Sequence, residues 1–258
     1  MSFGSHRKMS FVRFILCATV LSVLAMAANA QQSKAPWSYT GEDNPANWGK
    51  LDAAYATCSV GKSQSPINIT EPKTTDLAAL QFHYSAVPLN IIDNGHTVQV
   101  NYPAGSTLKV GDKTYTLKQI HFHHPSEEQV NGKGYDMEAH LVHADDEGHL
   151  AVVAVLLRSG ASNAFLDSVW KNFPTEKEKA IENSSVSVNV ADLLPSNHAY
   201  YTFAGSLTTP PCSEGVTWYV LKTPVSLSSA QVAAFAKIYP KNVRPIQKLN
   251  GRELLASK

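Results

Sequence analysis

Apolar and polar side chains alternate with a period of two along much of this chain, a pattern that predicts strands. In residues 97–102, Val98, Val100 and Tyr102 fall on one side. Residues 107–110 and 113–117 flank Gly111-Asp112, a hairpin signal. Residues 118–124 and 137–143 read as further strands. Residues 150–157 and 216–221 are continuous apolar runs, and the first suits a strand buried on both faces. Extended structure begins at Gln64-Ser65-Pro66-Ile67-Asn68-Ile69. Helical spacing occurs twice. In residues 163–173, Leu166, Val169, Trp170 and Phe173 share a face. In residues 229–239, Val232, Phe235, Ala236 and Tyr239 do so, and Pro240 stops the helix. Residues 31–64 are rich in Gly, Pro, Asn and Trp and read as an irregular segment laid on the core. The predicted class is mainly β with peripheral helices.

The N-terminus is a different kind of sequence. Arg7, Lys8 and Arg13 precede an apolar stretch from Phe14 to Ala27, and Ala28-Asn29-Ala30 has the small residues of a cleavage site. The expected organisation is a signal peptide over residues 1–30 and one domain over residues 31–258. The apolar run is short for a membrane span, and Cys17 sits too early, behind Leu16, for a lipoprotein anchor. The processed chain is therefore expected in the periplasm or outside the cell, without a membrane anchor. The whole chain of 258 residues has a formal charge of +1, and cleavage would remove three basic residues and no acidic one. A non-specific nucleic-acid binder, which needs a strong basic excess, is excluded. Cys58 and Cys212 would remain, and an even pair in an exported chain suggests one disulfide, with two buried free thiols as the alternative.

Five of the ten histidines lie between His121 and His143. On a strand, His121 and His123 project together while Phe122 and His124 project the other way. On the next strand Glu138, His140 and Val142 share a face. If the two strands are neighbours, His121, His123 and His140 can meet at one point. Three imidazoles leave a fourth tetrahedral position open, the catalytic form of a zinc site. Glu138 could hold the second nitrogen of one ligand. His124 and His143 face away and read as structural or surface residues, while His83, His149 and His198 read as solvated.

Several segments together resemble the α-class carbonic anhydrases, most closely the bacterial periplasmic branch. They are Trp37-Ser38-Tyr39, Gln64-Ser65-Pro66-Ile67, Asn94-Gly95-His96, Gln119-Ile120-His121-Phe122-His123, Glu138-Ala139-His140-Leu141-Val142-His143, Ser206-Leu207-Thr208-Thr209-Pro210-Pro211-Cys212 and Asn242-Val243-Arg244-Pro245-Ile246-Gln247. The resemblance implies a single domain around a large, mostly antiparallel twisted β-sheet. It implies one zinc ion on His121, His123 and His140, with Gln119, Glu138 and the carbonyl of Asn242 behind them. Thr208 and Glu127 match the pair that orients a zinc-bound hydroxide, and His96 matches the proton shuttle. Val142, Val152, Leu207, Val216 and Trp218 match the apolar wall for carbon dioxide, with Thr209 at the pocket mouth. Cys58 and Cys212 match the disulfide of the bacterial branch. The implied reaction is reversible hydration of carbon dioxide to bicarbonate and a proton, with sulfonamides and small anions as inhibitors and a monomer or homodimer as the assembly.

Two positions depart from the family pattern, of which Asn44, in place of a Gly before the early proline, touches only the irregular N-terminal segment. Glu128 stands where a histidine is common after Ser-Glu, in a network near the third ligand, and it is expected to reshape that network or to face outward. The competing reading is an acatalytic relative kept as a binding module. Such relatives usually lose a zinc histidine, and this chain has all three.

Overall fold

The computed structural model describes residues 1–4 and 36–258. The expected signal peptide and its cleavage site lie outside the described residues beyond Gly4. The rest concerns the unit Lys34–Lys258. Its strands in chain order are β1 (Asn68–Ile69), β2 (Lys73–Thr75), β3 (Leu80–His83), β4 (Val87–Asp93), β5 (Val98–Asn101), β6 (Thr107–Val110), β7 (Lys113–His123), β8 (Gln129–Val130), β9 (Met137–Ala144), β10 (Leu150–Ser159), β11 (Ile181–Val188), β12 (Tyr200–Ser206), β13 (Glu214–Leu221), β14 (Val225–Leu227) and β15 (Leu255–Ser257). Thirteen of them make one sheet, along the path β11-β4-β5-β7-β9-β10-β13-β12-β15-β2, with β3, β6 and β14 attached beside it. Most pairings are antiparallel; β10 with β13, β10 with β14 and β15 with β2 are parallel.

The sheet separates two apolar clusters. β10 feeds both: Ala151, Val153, Val155 and Leu157 enter the larger one, and Val152, Ala154 and Leu156 the smaller. That is the two-faced burial its unbroken apolar run predicts. Helices α3 (Ala164–Trp170) and α4 (Ser229–Ala236) close the larger cluster with Phe165, Leu166, Val169 and Phe235. Ser228 and Gln231 form a reciprocal capping box at the start of α4, which explains its start at Ser229. Both helices end short of their apolar periodicity, which runs on into the following turn. The segment expected to be irregular contains two single-turn helices, α1 (Trp48–Leu51) and α2 (Thr57–Val60).

The two strands expected over residues 113–117 and 118–124 are one strand, β7, with a register shift against β9 between Leu117 and Gln119. Before the shift, Tyr115 and Leu117 point into the larger cluster; after it, Ile120 and Phe122 do. A bulge that adds one residue flips the phase of everything beyond it. Without it, odd-numbered His121 and His123 would share the face of Leu117 and enter the core. With it, they emerge on the opposite face.

Candidate metal centre

β7 and β9 pair antiparallel, with His121 directly opposite His140. One nitrogen from each of His121, His123 and His140 lies within 4.8 Å of the others. Two of the remaining nitrogens are hydrogen-bonded from behind, and the third, His140 Nε2, faces carboxylates without a hydrogen bond. His121 Nδ1 donates to Gln119 Oε1 at 2.9 Å, and His123 Nδ1 donates to the Asn242 carbonyl at 2.7 Å. His140 Nε2 faces Glu138 Oε1 and Glu128 Oε2, each at 3.6 Å. His123 Nε2 is buried without a hydrogen-bond partner. A buried orphan nitrogen is costly unless something outside the protein atoms takes its lone pair. Three imidazoles anchored this way fit a zinc ion.

Electrostatics keeps two of the imidazoles neutral, the form that donates to a metal. Burial, aided by His140, holds His121 and His123 well below the ordinary histidine range. At His140 burial acts the same way, but Glu128 and Glu138 outweigh it and lift the imidazole to about 10. Glu138 Oε2 accepts the backbone N–H groups of Glu127 and Glu128 at 2.8 and 3.0 Å. Glu128 therefore turns inward, fully buried, and neither of its oxygens has a hydrogen-bond partner.

Glu127 Oε1 accepts the Arg244 N–H at 2.8 Å, and Oε2 lies 3.6 Å from His123 Nε2. Burial pushes the Glu127 carboxyl up to about 7, and Thr208 is near enough to pull it down, although Oε2 makes no hydrogen bond of ordinary length. His96 lines a cavity of about 150 Å³ together with His121, His123, Gln119 and Thr209. Its ring is stacked on Trp37, with centroids 3.6 Å apart and planes 8° from parallel. Burial and nearby Lys177 lower its pKa, against Glu178 and Asp93. Val152, Val216 and Trp218 are buried in the smaller apolar cluster, and Val142 and Leu207 pack against it. The Trp218 ring is 4.9 Å from that of His140, so this apolar wall abuts the histidine cluster. Cys58 and Cys212 are joined by a disulfide.

A model of the eukaryotic-type carbonic anhydrase family matches residues 43–258. The chain belongs to the α-carbonic anhydrase family. The carbonic anhydrase of Neisseria gonorrhoeae is 44% identical over 238 residues, 92% of this chain and 94% of that protein. Two solved relatives share the fold. The α-carbonic anhydrase of Photobacterium profundum has 45% identity and a TM-score of 0.80, covering 85% of this chain and all of that one. The α-carbonic anhydrase of Thermovibrio ammonificans, solved with the inhibitor sulfanilamide, has 40% identity and a TM-score of 0.82, covering 87% and 99%.

Around this carbonic anhydrase centre, two residues carry more structure than their sequence disclosed. Arg244 is buried and spans three segments: Nη1 donates to Gln64 Oε1 and Ser65 O, and Nη2 to the carbonyl of Cys58, while its backbone holds Glu127. Trp37 supplies the face on which His96 lies. Neither shows a periodicity that points to the site. Among the remaining histidines, His143 is fully buried, and His198 packs edge-on against Phe82 at 4.8 Å rather than lying free in solvent.

Proposed function

We propose that His121, His123 and His140 hold one zinc ion in this chain, and that it hydrates carbon dioxide reversibly to bicarbonate and a proton. The observation that carries this is the convergence of three imidazoles, with the buried His123 Nε2 left unpartnered and each opposite nitrogen facing an acceptor. Zinc supplies a Lewis acid that makes water nucleophilic near neutral pH, carbonic anhydrase being itself the standard case. The protein supplies the rest. Gln119 and the Asn242 carbonyl fix the tautomer of His121 and His123, and Glu138 backs His140. Glu127 accepts a hydrogen bond from the Thr208 hydroxyl, which leaves the threonine oxygen to accept from the reacting water and orient it. Val142, Val152, Leu207, Val216 and Trp218 give apolar carbon dioxide a wall to rest on, and Thr209 lines the entry. His96, whose imidazole pKa is lowered by burial and by Lys177, carries the released proton from the site. Sulfonamides and small anions are the inhibitors this reading expects.

Stopped-flow carbon dioxide hydration, before and after zinc is stripped and restored, tests the proposal. Activity should disappear with the metal and return with it. A folded, zinc-loaded protein without hydration would leave a binding module. His96→Ala should slow turnover in dilute buffer, and added imidazole should restore it; unchanged turnover would remove His96 from the proton path. We also infer export, with cleavage after Ala30 and a periplasmic or secreted product, supported by the basic, apolar and small-residue order of the N-terminus. Among the described residues no helix is long and apolar enough to cross a membrane. Mass measurement of the protein recovered from the cell envelope or medium checks the cleavage site.

A further inference from the structure

An unbroken chain of side-chain hydrogen bonds crosses the sheet from its edge to the turn that carries His96. It begins at exposed Glu182 on β11, whose Oε1 accepts from Asn90 Nδ2 on β4 at 3.0 Å. Asn90 Oδ1 accepts from Asn101 Nδ2 on β5 at 2.8 Å, and Asn101 Oδ1 from Gln99 Nε2 at 2.6 Å. Gln99 Oε1 accepts from Asn94 Nδ2 at 3.2 Å. Asn94 Oδ1 then accepts the backbone N–H groups of His96 and Thr97, both at 3.0 Å. Strand register builds the row: Glu182 lies opposite Asn90, and Asn90 opposite Asn101. Gln99 is two residues from Asn101 and so shares its face.

The two ends fix the polarity of everything between them. A carboxylate only accepts, and a backbone N–H only donates. Each of the four amides must therefore donate toward Glu182 and accept from the His96 side. Reversing any one of them would face donor against donor on one side and acceptor against acceptor on the other. Aligned amide dipoles also polarise one another. The ladder thus has one orientation, and its last member holds the backbone of the turn.

We propose that this amide ladder is a positioning device for His96, setting the turn that presents its imidazole to the metal pocket. The inference rests on the reading of His96 as proton carrier. Asn90, Asn101 and Glu182 act only through Asn94 and lie outside the lining of the cavity that holds His96.

Asn101→Leu cuts the ladder at its middle. Turnover in dilute buffer should fall between about twofold and thirtyfold, the range seen for mutations along coupling networks. Imidazole should restore it, while kcat/KM for carbon dioxide and zinc content stay at wild-type values. The amide proton resonances of His96 and Thr97 should shift. Glu182→Leu should act in the same direction, and Glu182→Gln, which keeps an acceptor, should retain wild-type turnover. His96→Ala is measured beside them. If it slows turnover while Asn101→Leu neither slows turnover nor moves the two amide resonances, the ladder proposal is wrong and the shuttle reading stands. If His96→Ala has no effect, both fall. Loss of kcat and kcat/KM together, without rescue by imidazole, would make the ladder ordinary scaffold and overturn the proposal.

Discussion

His143 is enclosed so that a second proton has no place on it. Its Nδ1 donates to the Ala151 carbonyl at 3.3 Å, and its Nε2 accepts from the Tyr84 hydroxyl at 2.8 Å. Burial lowers its pKa to about 4. In the unfolded chain it titrates near 6.5. Between those values the unfolded state binds more protons, so stability falls as pH drops from about 6.5 to about 4. The contribution lost is about 3 kcal/mol. In urea titrations across this window, His143→Gln should flatten the dependence of stability on pH; an unchanged slope would assign the acid sensitivity to other groups. Alternation already placed His143 on the face away from His140. It could not give depth, because the residue that seals it, Tyr84, follows a short strand with no clear pattern of its own. Glu128 was equally illegible: its inward turn depends on Glu138, ten residues on, gripping its backbone N–H. The convergence of His121, His123 and His140 was legible because two neighbouring strands and a period of two suffice to bring them together.

At the scale of elements, α2 is four residues long, too short to persist alone. Its Cys58 is tied to Cys212 across a sequence separation of 154, and its carbonyl is held by Arg244. The chain-entropy model gives about 5 kcal/mol for so long a loop, and native disulfides typically contribute about 2–5 kcal/mol. Replacing both cysteines by alanine should lower the unfolding free energy by an amount in that range. A loss below about 1 kcal/mol would mean that Arg244 and its partners hold the segment unaided. The strongest elements were readable in advance: β9, β10, β13 and the starts of α3 and α4 lie where their patterns put them. β4, β11 and β12 were not. β4 is interrupted by Pro88, and β11 is an edge strand of mostly exposed residues, so neither face has to be apolar. The bulge in β7 was missed for a related reason: Lys118 broke the alternation and read as a boundary between two strands.

For the whole molecule, the last strand acts as a joint. β15 pairs with β12 on one side and with β2 on the other, and Ala256 between them is buried. Among the described residues β2 has no other strand partner. Deleting residues 254–258 should therefore strip residues 73–75 of their hydrogen-exchange protection and lower the unfolding midpoint. Retained protection would mean that β2 is held by something other than its ladder. The mainly β class was legible from the ratio of strand to helix patterns and the one large sheet from the family resemblance, but this closure was not, because three residues are too few to show a period. It also has a consequence for synthesis. Lys73–Thr75 leave the ribosome long before Leu255–Ser257, the strand they pair with. Until residues 255–257 have been translated, the nascent chain carries one margin of its sheet open, and no pausing upstream of them can finish it.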